Sequence, residues 1–262
     1  MASVMTFSPM TARARSILGI EALTLDDVCA GYGASQILHN LTFSVRQGEV
    51  LTMLGRNGVG KSTCMKCIVG LIPARSGSIT LLGRRISGLS PEVIARAGIG
   101  YVPQGRRVFP SLTVQENLSV AARPGNGAIW STERVFGEFP RLQERRNLRA
   151  GKLSGGEQQM LAVGRALVTN PAILMLDEPS EGLSPQIVSE LRKLVIRLRD
   201  GGMTVLLVEQ NLDFAFDVSD RVVIMNTARL SFVGASADLR NRTDFLNCEL
   251  GVGTANAAPL HN

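Results

Sequence analysis

The feature that most limits what this chain can become is Gly55-Arg-Asn-Gly-Val-Gly-Lys-Ser62, which fits the pattern G-x-x-x-x-G-K-[ST]. It follows a strand-like run, EVLTML at residues 49–54, and precedes a helical pattern. Closely spaced glycines let the backbone turn its N–H groups inward, and the helix start adds the positive end of its dipole. Together they form a cradle for a polyphosphate. Gly55, Arg56, Asn57, Gly58, Val59 and Gly60 would wrap the phosphates. Lys61 would reach the β- and γ-phosphates, Ser62 would ligate Mg²⁺, and Thr63 would donate to the α-phosphate. A glycine-rich turn without a phosphate is the plainer alternative, and the flanking strand and helix argue against it.

Elsewhere, short apolar runs alternate with helical patterns, which argues for a doubly wound α/β core. Beyond 49–54, the clearest strands are 99–102, 172–176 and 204–208, the last two apolar at consecutive positions, as strands covered on both faces must be. Residues 105–168 are richer in Arg, Glu and Gln, mostly helical in pattern, and broken at Pro124-Gly125 and Asn126-Gly127. They are expected to form a helical subdomain inserted between core segments 21–104 and 169–250. Residues 1–20 and 251–262 are expected to be a loose extension and a loose tail.

The run 173–178, ILMLDE, is an apolar strand ending in two acids, which puts the carboxylates at the ligand crevice of an open sheet. Asp177 suits the Mg²⁺ shell, and Glu178 suits the general base that polarises the attacking water. A strand closing in a polar turn before Pro179 would look similar in isolation. Further upstream, LSGGEQQ at 153–159 opens a helical pattern with the capping box Ser154–Glu157. A well-capped helix needs no more than that. Yet Gly155 and Gly156 weaken the first turn and bare its backbone, which suits the close approach of an anion to the helix start.

With these three motifs in place, the chain resembles the ATP-binding-cassette ATPases over about residues 22–250, which implies an α/β P-loop NTPase core whose sheet is mostly parallel with an antiparallel portion. The signature-like LSGGEQQ stands about twenty residues before the Asp177 strand end, as it does in that family. The resemblance implies that two cassettes sandwich two ATP molecules, with Ser154 and Gly156 of one touching the γ-phosphate held by the other. It also implies that Gln104 senses Mg²⁺ and couples to a membrane partner, and that SEGLSP at 180–185 crosses the dimer interface. Tyr32 would stack on adenine, although a tyrosine that simply ends a strand fits the same position. One position departs: the family commonly places a histidine after the strand at 204–208, and here the residue is Gln210, which can hydrogen-bond a phosphate but cannot become cationic.

VEQN, GRRVFPSLTVQENL and DEPSEGLSP resemble the branch that powers uptake of branched-chain amino acids, and of urea and short amides. The amino-acid members are favoured, with urea or short-chain amides as the alternative. The implied partners are a second cassette, identical or not, integral membrane permease subunits and, indirectly, a solute-binding protein. The implied location is the cytoplasmic face of the membrane. Two other classes share parts of the pattern. A chromosome-associated ATPase would split or duplicate the cassette, and a small-molecule kinase or GTPase would leave LSGGEQQ unexplained.

Charge and cysteine content set the remaining bounds. The net charge is +6, but the basic residues fall in scattered pairs with no run of five or more. No nucleic acid is therefore expected as a partner. No stretch reaches the roughly 18 apolar residues of a membrane span, and the apolar segment after Arg13 and Arg15 is cut short by Glu21, unlike a signal peptide. The four cysteines are expected to be reduced thiols, with Cys64 and Cys67 as buried small hydrophobes rather than a zinc pair.

Overall fold

Alternation of side chains along a strand lets one sheet feed two cores, and the central strands of this chain are covered on both faces. In the computed structural model, Leu51, Met53, Ile173, Met175, Leu206 and Val208 point into one hydrophobic cluster. Their neighbours Val50, Leu174, Leu176, Val205 and Leu207 point into another. The structure describes residues 19–123, 128–240 and 242–251. The breakers at 124–127 lie outside these, as do all but the inner edges of the expected loose ends.

In chain order the strands are β1 (Glu21–Tyr32), β2 (Ser35–Arg46), β3 (Val50–Leu54), β4 (Ala74–Leu81), β5 (Arg84–Arg85), β6 (Ile99–Val102), β7 (Ile173–Asp177), β8 (Thr204–Glu209), β9 (Arg221–Asn226) and β10 (Arg229–Ala235). The helices are α1 (Lys61–Ile68), α2 (Pro91–Arg96), α3 (Val114–Ala121), α4 (Thr132–Glu138), α5 (Pro140–Glu144), α6 (Gly155–Leu167), α7 (Pro185–Asp200), α8 (Leu212–Val218), α9 (Ser236–Arg240) and α10 (Thr243–Leu250). Six strands form one sheet in the order β10-β9-β3-β8-β7-β6. It is parallel from β9 to β6, with β10 antiparallel at its edge. A second, antiparallel sheet runs β2-β1-β4-β5. The expected α/β class, with its mixed sheet, is what is found.

Strands β3, β7 and β8 are buried at every position, and their parallel register sets Leu54 beside Glu209 and Asp177 beside Val208 at the carboxyl edge of the sheet. Two helices of the 105–168 stretch begin with reciprocal caps. In α3, Thr113 and Glu116 each bond the other's backbone N–H, and Ser154 and Glu157 do the same at α6. Asn117, fully buried, accepts from the Phe109 N–H and donates to the carbonyls of Phe109, Leu112 and Thr113, pinning the loop ahead of α3. The helices share a core with the sheet: Leu118, Val135, Phe136, Leu142 and Leu161 belong to one cluster with Leu174, Leu176, Leu191 and Leu194.

Candidate functional site

The loop between β3 and α1 owes its shape to three glycines with different constraints. Gly58 and Gly60 have φ of 83° and 106°, which L side chains resist. A Cβ on Gly55 would stand 2.5 Å from the Met225 carbonyl oxygen, so β9 packs directly against the loop. Arg56, Asn57 and Gly58 face solvent, while Lys61 and Thr63 are buried at the start of α1. The Lys61 ammonium folds back over the loop and donates to the carbonyls of Gly55 (2.8 Å) and Arg56 (3.0 Å). It also pairs with Glu178.

The end of β7 brings the acids to this loop. Ser62 donates to Oδ1 of Asp177 at 3.1 Å, joining positions 115 residues apart. Tyr101, at the end of β6, donates to Oδ2 at 3.2 Å. Burial is the largest influence on Asp177 and raises its pKa; the two hydroxyls pull it down and the Glu178 charge pushes it up again. Burial likewise raises the Tyr101 phenol, reinforced by the Asp177 charge, so it remains a proton donor at any ordinary pH. Glu178 has φ 48°, a left-handed conformation uncommon for a side chain of this size. It turns the chain just after the sheet and leaves the carboxylate beside Lys61. The Gln104 amide donates to Glu181 at 2.6 Å and to Glu178 at 3.4 Å, so it is held among the acids.

Sequence reasoning passed over Glu209, although it stands beside Gln210. Its carboxylate is buried and accepts N–H bonds from Ser180 (3.0 Å), Gln210 (3.0 Å) and Asn211 (3.3 Å). Burial raises its pKa against the pull of these donors. It thus ties the loop after β7 to the turn after β8. Gln210 itself is exposed on the wall of a cleft of about 370 Å³, which Gly55, Arg56, Asn57 and Leu250 also line. The glutamine therefore lies beside the phosphate loop. Tyr32 is 48% exposed at the end of β1, leaving much of its ring uncovered.

Ser154, Gly155 and Gly156 lie at the start of α6. No hydrogen bond or ion pair among the described residues joins them to the phosphate loop of the same chain. The Ser154 hydroxyl donates to Glu157 at 2.8 Å, and Arg145 pairs with Glu157 at 3.1 Å. What stands against the bare backbone is the chain's own. A Cβ on Gly155 would run into the Arg106 guanidinium, and one on Gly156 would stand 2.7 Å from Ile187. No group of three or more His, Cys, Asp or Glu among the described residues could hold a metal. A Mg²⁺ ion needs fewer protein ligands, because it keeps water and shares substrate phosphates. The convergence of Ser62 and Asp177 fits such an ion.

The ABC transporter family model matches residues 38–181. The chain belongs to the ABC transporter family. The high-affinity branched-chain amino acid transport ATP-binding protein BraG of Pseudomonas aeruginosa is 42% identical over 231 residues, covering 87% of this chain and 99% of that protein. The probable branched-chain amino acid transport ATP-binding protein LivF of Archaeoglobus fulgidus is 37% identical, covering 85% and 96%. A solved structure of an ATP-binding subunit of an ABC transporter superposes with a TM-score of 0.75 at 30% identity, covering 85% of this cassette and 93% of that chain. This cassette binds and hydrolyses ATP. No helix among its described residues is long and apolar enough to cross a membrane.

Proposed function

We propose that this cassette is the peripheral motor of an importer for branched-chain amino acids, working with a second cassette and with membrane-spanning permease subunits at the cytoplasmic face. The observation that carries the mechanism is the meeting of Lys61, Ser62, Asp177 and Glu178 at one sheet edge. The solute rests on a likeness running nearly the whole length of relatives named for that transport.

In this reading the N–H groups of residues 55–63 bind the polyphosphate, and Lys61 leaves the Gly55 and Arg56 carbonyls to meet the β- and γ-phosphates. Ser62, Asp177 and Gln104 would hold Mg²⁺, which when bound offsets phosphate charge. Tyr32 stacks on the adenine. Glu178 takes a proton from the attacking water as its oxygen bonds to the γ-phosphorus. The bond from that phosphorus to the bridging oxygen breaks, and ADP leaves with the electron pair. Gln210 donates a hydrogen bond to phosphate and contributes no charge. Ser154, Gly155 and Gly156 face the nucleotide of the second cassette, so ATP joins the interface and its binding energy adds to dimerisation. Loss of the bridging γ-phosphate lets the halves part. Residues 105–168 form the inserted helical subdomain, and Gln104 couples the site to the permease.

The test uses Glu178→Gln, alone and with Ser154→Arg. ATP should drive the single variant into a dimer, by itself or with the neighbouring cassette, and the bulky cation should block association while ATP still binds. Absence of ATP-driven association in both mixtures would reject the sandwich. For the solute, deletion of the gene should abolish leucine, isoleucine and valine uptake. Intact leucine uptake alongside lost urea or amide uptake would reassign it.

A further inference from the structure

Arg106 has no part in the mechanism above, yet its placement is specific. It is a left-handed residue with φ 63°, directly after Gly105 at φ 89°. The two left-handed residues reverse the chain just beyond Gln104. The guanidinium Nη2 then donates to the Gly182 carbonyl oxygen at 3.0 Å. Its flat end also lies against Gly155, where a Cβ would stand 2.8 Å from Cζ and 3.3 Å from Nη2. One side chain therefore fills the gap between the first turn of α6 and the loop at 180–185. Gln104, two residues away, bonds Glu181 in that same loop.

We propose that Arg106 is a positioning residue: a flat wedge that fixes the start of α6 relative to the 180–185 loop, and the reason residue 155 must lack a side chain. The inference rests on the reading that both segments face a second cassette, whose nucleotide they must meet together. Two physical points support it. A cation at a helix N-terminus opposes the helix dipole, so helix electrostatics do not favour this placement; the Gly182 carbonyl and the flat contact with bare backbone hold it. The nearest atoms to a Cβ at 155 all belong to the flexible end of Arg106. Gly155→Ala would thus evict the guanidinium rather than break the helix, in which alanine is the better residue. Lysine, with a compact ammonium on a flexible stem, cannot replace a planar fork.

The experiment is a double-mutant cycle on the full chain with Gly155→Ala, Arg106→Ala and both together. Turnover is measured with the neighbouring cassette present, and amide hydrogen exchange is followed at 154–158 and 180–184 in the chain alone. Each single variant should lower kcat by roughly tenfold while ATP affinity stays within about twofold, and each should speed exchange in both segments. The double variant should be no worse than the poorer single, because the second change removes a contact already lost. Arg106→Lys should resemble Arg106→Ala. Losses that multiply, or Arg106→Ala exchange unchanged at 180–184, would overturn the wedge. The exchange result stands whether or not the chain pairs with a second cassette, so failure of the wedge and failure of the sandwich give different outcomes.

Discussion

The Lys61 ammonium stands 3.5 Å from Oε1 of Glu178, with 3% and 9% of the two side chains exposed. The proposed base and the phosphate-binding cation are therefore a buried ion pair. Glu178→Gln removes the base and also frees Lys61 from a charge it must leave. Hydrolysis should fall by roughly a hundredfold or more, while ATP affinity holds or rises. Phosphate release and nucleotide retention, measured side by side, check this; unchanged turnover would reject Glu178 as the base.

Tyr101→Phe keeps the ring and removes the donor to Asp177 Oδ2. The carboxylate oxygen loses its partner in a poorly hydrated place, which costs about 1–3 kcal/mol. Urea unfolding of the nucleotide-free chain should show that loss. A change too small to measure would mean that solvent replaces the phenol.

Glu209 gives a pH signature. Burial raises its folded pKa above the ordinary 4.5, so the fold favours the protonated form. Its contribution to stability is whole below pH 4.5 and is lost as pH rises through the folded value. Glu209→Gln cannot titrate. The stability of the wild type minus that of the variant should shrink as pH climbs from 4.5. A difference that stays flat or grows would contradict the sign.

The thiols on α1 should resist alkylation. Cys64 and Cys67 are buried, and burial raises both, Cys67 to about 11 and Cys64 further. The thiolate is the reactive form. At pH 8 the exposed Cys248 should label quickly, and the other two only on partial unfolding. The Cys67 contribution to stability is intact below pH 9 and is lost as pH rises through about 11. Rapid labelling of both in the native, nucleotide-bound protein would refute the buried arrangement.

Motifs confined to one short stretch could be recognised in the sequence. The phosphate loop, the Asp177-Glu178 strand end and the Ser154–Glu157 cap each declare themselves within eight residues. Contacts that join distant stretches could not. Tyr101 reads as one residue of a short strand until β6 pairs with β7 and brings its hydroxyl to Asp177, 76 positions away. Glu209 looks like a polar residue closing an apolar run, because its donors include Ser180, 29 positions away. The long strands β1 and β2 leave only a weak mark in the sequence. Bulges near Asp26–Val28 and Cys29–Gly31 disturb the pairing of β1, and a shift of one residue swaps the face each side chain takes.

The helices of the 105–168 stretch close over the same hydrophobic cluster as the sheet and α7. Each large side chain there contributes about 1.5–3 kcal/mol by leaving water, and several would be bared if the stretch were cut away. Anyone building chimeras between transport ATPases would find that this stretch does not travel alone. The piece that can be exchanged intact includes the face of α7 carrying Leu191, Leu194 and Leu198, because those side chains close the cluster from the other side of the sequence.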